Sequence, residues 1–320
     1  MRSEIRRTAA MAMAALCSLA ATVAHAQWKP EKQVTLVVPY APGGGVDAQT
    51  RAVAKELQRI WGQTVIVDNT SGADGLIGTR KVIESRPDGY TLLVQINALT
   101  LSKHLPTFKG PDPVTLLTPI SAFSALPGVF VANAKLPVKT VAELVRYCKA
   151  NPCSYGTTET YARLQGQMWK AENGLDSLVI VNYKGGGQLI TDLVANNVNA
   201  SIMGITAALP HYKTGSLRIL ASAGKKRSSV TPEVPSGSED GVVGFDTLTW
   251  YGVFAPKGTP DNVVQGVAAA VQEAVKAEDV KKAFAVIGSE PIGNTPAEFA
   301  AMVREEGERL SALVKRFPLE

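Results

Sequence analysis

Four times in this chain a helix starts at a glycine- or hydroxyl-rich turn just after a strand-like run, and that repetition commits it to an α/β architecture. The first copy is the clearest. Val34-Thr35-Leu36-Val37-Val38 is a compact β-branched run, and Pro39-Tyr40-Ala41-Pro42-Gly43-Gly44-Gly45 follows it. Asp47 then caps the start of a helix whose apolar stripe is Val53, Leu57, Ile60 and Trp61, with Gly62 as its stop. Val65-Ile66-Val67 is a second strand, and Ser71-Gly72-Ala73-Asp74-Gly75 turns into a helix through Ile77, Val82 and Ile83. Pro87-Asp88-Gly89 precedes a third strand, Tyr90 to Val94. Strands alternating with helices in this way predict a parallel sheet covered on both faces.

The pattern breaks across the Pro- and Thr-rich residues 104–118, and a second α/β unit follows. Thr140 and Glu143 have the spacing of a capping box, and Ser154-Tyr155-Gly156 is a short strand or turn. Thr158 or Thr160 could cap the next helix, and Gly185-Gly186-Gly187 leads into another from Gln188. Two longer apolar stretches, Ile120–Ala132 (interrupted at Pro127-Gly128) and Thr247–Ala255, are candidate crossings between the units. Thr259-Pro260 and Thr295-Pro296 mark late helix starts. The expected organisation is a hinged clam: residues 27–124 and 247–320 form one lobe, and 125–246 form the other.

Residues 1–26 carry Arg2, Arg6 and Arg7, an Ala-rich apolar run from Thr8 to Ala24, and Ala24-His25-Ala26. That is the order of a cleavable export leader, and the run is too short for a membrane span. The periplasm is therefore the expected location, where ATP is absent and NAD scarce. Cys17 would leave with the leader. Cys148 and Cys153 remain, and an even count in an oxidising compartment favours a short disulfide staple over a redox pair. Three arginines and one glutamate leave with the leader, so the chain's charge falls from +5 to +3. With no Lys/Arg run and no interleaved aromatics, nucleic acid is an unsuitable partner, whereas a small anion is permitted.

The four helix starts lie near Gly43–Asp47, Ala73–Gly78, Thr157–Thr160 and Gly185–Gln188. Each offers unpaired backbone N–H groups at the positive end of a helix dipole, and glycine lets a ligand approach the main chain. Two from each lobe, facing one cleft, would cradle a carboxylate. A competing reading treats Gly43-x-Gly45-x-x-Ala48, with Asp68 twenty residues on, as a dinucleotide fingerprint. Pro42 crowds that turn, and an anionic Asp47 would repel a pyrophosphate. Hydrolase chemistry has no support, since G-x-S-x-G and H-E-x-x-H are absent. His104 and His211 are isolated, and no metal-ligand spacing occurs. Trp61, Trp169 and Trp250 are expected in the core, although Trp250 and Tyr251 could reach the cleft.

Collinear motifs then carry a resemblance. They are Val37-Val38-Pro39-Tyr40-Ala41-Pro42-Gly43-Gly44 with Asp47 and Arg51, and Asn69 through Gly72-Ala73-x-Gly75-x-Ile77-Gly78. Pro87-Asp88-Gly89-Tyr90-Thr91-Leu92-Leu93, Tyr183-Lys184-Gly185-Gly186 and Ala208-Leu209-Pro210-His211 continue them. Trp250-Tyr251-Gly252 and Ala255-Pro256-x-Gly258-Thr259-Pro260 complete them. Over essentially the whole chain after the leader, it resembles the solute-binding proteins of tripartite tricarboxylate transporters, the Bug-type periplasmic receptors.

The resemblance implies an α/β, two-lobed periplasmic-binding-protein (Venus flytrap, type II-like) fold that binds a small organic carboxylate, without catalysis or cofactor. It implies main-chain contacts and ordered waters at Tyr40, Ala41, Gly43 and Gly44 beside Asp47, a cradle completed by Ala73, Asp74, Gly75, Gly185, Gly186 and Gln188, and further contacts from Asn97, Thr157, Thr158 and Thr160. Membrane permease subunits are the implied partner; a membrane sensor kinase is the alternative reader of the closed form. This chain departs from the family pattern at Glu159, Tyr161 and Arg163, and at Met203, where many members carry Asp. Met203 points to an apolar or aromatic ligand body rather than an ammonium group.

Overall fold

The computed structural model describes residues 28–105, 108–158, 160–183, 185–223, 226–240 and 248–318. The expected leader lies outside the described residues. The first lobe is built on β1 (Val34–Val38), flanked by β2 (Val65–Asn69) and β3 (Thr91–Ile96), all parallel. Period-two alternation gives this sheet two apolar faces. Leu36 and Val38 pack with Val53, Leu57 and Trp61 of α1 (Gly45–Trp61). Val37 and Leu93 face the other way, with Val82 of α2 (Leu76–Ile83). Gly62 ends α1 in the left-handed region, as its position predicts. Ile77, expected in the apolar stripe of α2, is exposed instead.

A short helix, α3 (Ala98–Leu101), follows β3, and then comes the long strand β4 (Leu117–Asn133). The second lobe runs α4 (Val141–Ala150), β5 (Ser154–Thr157), α5 (Thr160–Glu172), β6 (Val179–Asn182), α6 (Gly186–Ala195), β7 (Ala200–Gly204), α7 (Ile205–Lys213) and β8 (Leu217–Ser222). Its core gathers Phe130, Leu144, Tyr155 and Trp169, with Trp169 meeting Phe130 edge-on at 4.9 Å. Cys148, in the last turn of α4, and Cys153, just before β5, form the disulfide. The chain returns through β9 (Leu248–Pro256), α8 (Asp261–Ala274), α9 (Glu278–Val286), β10 (Glu290–Pro291) and α10 (Pro296–Arg316). Among the described residues no helix is long and apolar enough to cross a membrane.

One strand joins the two lobes. Residues Leu117–Pro127 of β4 pair with β9, whereas Gly128–Ala132 pair with β7 and Val129–Asn133 with β8. The exchange of partners falls between Pro127 and Gly128. Proline has no N–H to give a ladder, so it suits the point where one sheet ends. The dipeptide expected to interrupt an apolar segment therefore marks a change of sheet within a continuous strand. Strand β9 lies wholly in the first sheet, between β3 and β4, so its residues are not the second crossing expected at Thr247–Ala255; Thr247 itself lies outside the described residues.

Helix starts differ from expectation in detail. Thr295 and Glu298 form the full capping box with Pro296 at the first position. The Thr140 hydroxyl accepts from the Glu143 N–H, but the Glu143 carboxylate accepts from Lys139 N–H, one residue too early for a box. Thr259 does not cap α8, because its hydroxyl donates to the Pro256 carbonyl and the cap position is Pro260. Neither Thr158 nor Thr160 stands at the cap of α5, since the helix already includes Thr160.

Candidate functional site

Strand direction decides where a ligand can sit. β4 runs from the first lobe into the second, and β9 is antiparallel to both β3 and β4. β3 therefore points the same way as β4, and its carboxyl end, with those of β1 and β2, faces the second lobe. β7 is antiparallel to β4, and β5 and β6 are parallel to β7. Their carboxyl ends consequently face the first lobe. Ile96 of β3 is level with Ser124 of β4 through Tyr251, and Gly204 of β7 is level with Gly128. Four residues of β4 separate the two levels, about 14 Å at 3.4 Å per residue. Six strand ends thus oppose one another across the point where β4 changes sheets, and the carboxyl ends of strands are where open α/β sheets bind ligands.

Every site residue expected from the sequence lies at one of these ends. Tyr40, Ala41, Gly43, Gly44 and Asp47 follow β1; Ala73, Asp74 and Gly75 follow β2; Asn97 follows β3. Thr157, Thr158 and Thr160 stand at the end of β5, Gly185, Gly186 and Gln188 follow β6, and Met203 is the penultimate residue of β7. Ala41, Gly43, Gly44, Thr158, Gly186 and Gln188 are exposed; Tyr40, Thr160, Gly185 and Met203 are half-buried; Thr157 and Asn97 are buried.

The first loop is held by a buried carboxylate. Asp47 is 4% exposed. Its oxygens accept from the Gly43 N–H at 2.9 Å, from Arg51 Nε at 3.0 Å and from Asn69 Nδ2 at 3.0 Å. Asn69 also donates to the Tyr40 carbonyl, tying the end of β2 to the loop after β1. Burial pushes the Asp47 carboxyl up, but the hydrogen bonds from Arg51, Gly43 and Asn69 outweigh it and hold its pKa below the ordinary value. Asp47 is not the cap expected from the sequence: it is the third residue of α1, Gly44 occupies the cap position, and the carboxylate instead shapes the loop before it through the Gly43 N–H.

The second loop is wound left-handed. Gly72, Ala73, Asp74 and Gly75 have φ of 131°, 46°, 53° and 87° in succession. Two non-glycine residues at positive φ store of order 1 kcal/mol or more each, and such strain clusters at ligand sites. The turn packs hard on the first loop. A Cβ at Gly75 would lie 3.1 Å from Gln95 Nε2, and one at Gly78 would lie 2.6 Å from the Thr70 carbonyl oxygen and 2.9 Å from Pro39 Cβ. Gln95, buried at the end of β3, accepts from the Tyr40 hydroxyl at 2.7 Å and donates to Thr79 Oγ1 at 3.1 Å. It thereby ties the first three strand ends together.

On the second lobe, Gly185 takes the cap position of α6, and Tyr183 just before it donates to Asp192 at 2.8 Å. Burial together with that bond pushes the Tyr183 phenol up to about 12, so it stays a donor and ties the end of β6 to Asp192 inside α6.

Sequence reasoning did not single out Asn69 as the tie between loops, Gln95 as a hub, or Glu306 of α10. Glu306 is deeply buried and accepts from Trp250 Nε1 at 2.5 Å; burial raises its pKa against the pull of Trp250, Arg309, Asn97 and Tyr161. Gln95 had a signal, as an amide closing an apolar strand; Glu306, on an ordinary amphipathic stripe, had none. Trp61, Trp169 and Trp250 are in the core as expected. His104 bonds Ser311 at 3.0 Å, and burial with neighbouring Lys103 lowers its pKa. Among the described residues no group of three His, Cys, Asp or Glu side chains is placed to hold a metal.

Residues 49–319 match the family described as "Tripartite tricarboxylate transporter family receptor". The chain belongs to this family. A relative, Protein BugT of Bordetella pertussis, is 32% identical over 292 residues, covering 89% of each chain. Among solved structures, a Rhodopseudomonas palustris protein with adipate is 30% identical with a TM-score of 0.76, covering 89% of this chain and 97% of that one. MatC from the same organism, with bound malate, is 28% identical with a TM-score of 0.73, covering 89% and 99%. These likenesses extend over both lobes of this family member, so its two-lobed type II-like fold is that of the periplasmic receptors.

Proposed function

We propose that this chain is an exported receptor that captures a small organic carboxylate between its lobes and delivers it to the permease subunits of a tripartite tricarboxylate-type transporter. The carrying observation is the opposition of six strand ends across the Pro127–Gly128 hinge, with main-chain-rich loops on both sides. In this reading one lobe comprises residues up to the hinge together with the return from Leu248, and the other comprises the residues between. The ligand carboxylate meets the N–H groups of the loop after Tyr40 and of the left-handed turn at Ala73–Gly75. The second lobe then brings Thr157, Thr158, Thr160 and the start of α6 onto it, and contacts made only in the closed form shift the population toward closure.

The relatives solved with malate and with adipate make small dicarboxylates the first ligands to try on this family member. Met203, half-buried at the end of β7, gives the cleft a soft apolar wall and extends the trial set to apolar and aromatic carboxylates. The leader of residues 1–26 puts this work in the periplasm. Thermal unfolding of residues 27–320 against aliphatic and aromatic carboxylates, amino acids and NAD tests the reading. Ligand at a hundred times its dissociation constant adds about 2.7 kcal/mol. A shift with a carboxylate supports the receptor reading; a shift with NAD alone overturns it.

A further inference from the structure

Helix α10 belongs to the first lobe but also touches the second. Phe299 and Val303 pack with Trp250 and Phe254 on the first sheet. Two turns beyond Val303, Leu310 packs with Leu101 of α3 and with Leu164 of α5, which is a second-lobe helix. Arg316 adds an ion pair to Glu172 of α5 at 3.5 Å. Between these contacts lies Glu306, whose side chain is 10% exposed. Its Oε2 accepts from Trp250 Nε1 at 2.5 Å. Its Oε1 accepts from Asn97 Nδ2 at 3.4 Å, from Tyr161 OH at 3.5 Å and from Arg309 Nη2 at 3.4 Å. Arg309 Nη2 also donates to Tyr161 OH at 3.0 Å.

Asn97 follows the carboxyl end of β3, and Tyr161 is the second residue of α5, just past the end of β5. One carboxylate therefore bridges strand ends from opposite walls of the cleft. Packing alone does not call for it, because Val303 and Leu310 fill the same helix face with hydrocarbon. A buried carboxylate is costly unless paired, and what it adds over a hydrocarbon is a fixed distance and direction. The bonds to Trp250 and Asn97 stay within the first lobe, while that to Tyr161 reaches the second.

We propose that Glu306 is a positioning residue for ligand capture: anchored by Trp250 and Asn97, it holds Tyr161 directly and through Arg309, and so sets where the first turn of α5 stands opposite the first loop. The capture role rests on the receptor reading above; the positioning does not.

The test uses ligand-free protein, residues 27–320, as wild type, Glu306→Gln, Tyr161→Phe and the double variant. Amide hydrogen exchange is followed in residues 164–168 of α5, whose amides are bonded within the helix, with α1 and α8 as references. Each single variant should quicken exchange there by about fivefold, the weight of one ordinary buried hydrogen bond. The double variant should be no faster than Tyr161→Phe alone, because the phenylalanine already removes both bonds that Tyr161 makes to α10, to Glu306 and to Arg309. Small-angle scattering should show a larger radius of gyration in both single variants, which a residue that merely packs would not produce. Unchanged α5 exchange, rate increases that multiply in the double variant, or equal quickening of all segments would overturn the proposal. If Glu306→Gln does not fold, Tyr161→Phe decides alone: a local rise with a larger radius supports the latch, and neither overturns it. No carboxylate enters either measurement, so failure here leaves the receptor reading standing, and an unresponsive ligand panel leaves the positioning standing.

Discussion

Alanine at Gly78 should weaken this protein, although an interior helical glycine ordinarily gains from that change. Replacing glycine by alanine inside an exposed helix stabilises by about 0.8–1.0 kcal/mol. At Gly78 the new Cβ would sit 2.6 Å from the Thr70 carbonyl oxygen, 2.9 Å from Pro39 Cβ and 3.1 Å from Pro39 Cα. Ordinary contact begins at 3.4 Å, so α2 must retreat by about 0.8 Å from the Thr70 carbonyl and about 0.5 Å from Pro39 of the first loop. Two of the three obstructing atoms are backbone and the third belongs to a proline ring, so none can rotate away. Overpacking of this kind costs about 1–3 kcal/mol. The cost lies toward the upper end because backbone must move, leaving a net loss of about 1–2 kcal/mol after the helix gain. Gly307 is the internal control: it too lies inside a helix, α10, but its Cβ would meet nothing within 4 Å. Gly307→Ala should therefore stabilise by about 1 kcal/mol. Denaturant midpoints at constant slope measure both. If Gly78→Ala stabilises as Gly307→Ala does, the close seat of α2 on the first loop is wrong, and with it the geometry of the cradle.

Three further outcomes follow from the same contacts. Asp47→Asn should lower stability at pH 7. The folded pKa of Asp47 is depressed, so its contribution is full above the unfolded value of about 3.9 and is lost as pH falls through the folded value. The gap between wild-type and variant midpoints should accordingly shrink on acidification, and a gap constant from pH 7 to 3 would refute the buried-acceptor account. Replacing Cys148 and Cys153 by serine should cost about 2 kcal/mol, as so short a closed loop implies, and hydrogen exchange should place the loss in α4 and β5. Alanine at Gly252 puts a Cβ 2.1 Å from Phe299 Cζ, in a ring packed between Trp250 and Phe254, and should destabilise by about 2 kcal/mol or more; a neutral effect would show that α10 seats differently.

Much of the fold was legible because local chemistry and tertiary role agreed. Val34–Val38 is a strand in sequence and structure alike, Gly62 stops its helix, and Thr295-Pro296 with Glu298 starts another. The loops that converge were visible as glycine turns after strands. What escaped depends on partners remote in sequence. Thr259 resembles a cap but is claimed by the Pro256 carbonyl, and Glu143 reaches Lys139 instead of Thr140. Pro127-Gly128 reads as a break, yet β4 passes through it because the strand changes neighbours there rather than ending. The left-handed run at Ala73 and Asp74 is invisible to propensity, which disfavours positive φ for both. Glu306 lies 209 residues from Asn97, a pairing that no periodicity encodes.

The central claim is that a carboxylate is held by main-chain groups at the first loop, and Gly44 is the place to test it. A side chain there has room in the folded protein: its Cβ would meet only the Ala41 carbonyl oxygen, at 3.7 Å, and the backbone φ of −77° suits any residue. Gly44→Val should cost at most about 1 kcal/mol, because valine is a poorer helix cap than glycine, and should stay folded while covering the N–H groups at the start of α1. Calorimetric titration of the carboxylate that most stabilises the wild type, into wild type and into Gly44→Val, is the measurement. The account predicts at least a tenfold loss of affinity, about 1.4 kcal/mol, in a fully folded variant. Equal affinity for the two proteins would contradict it.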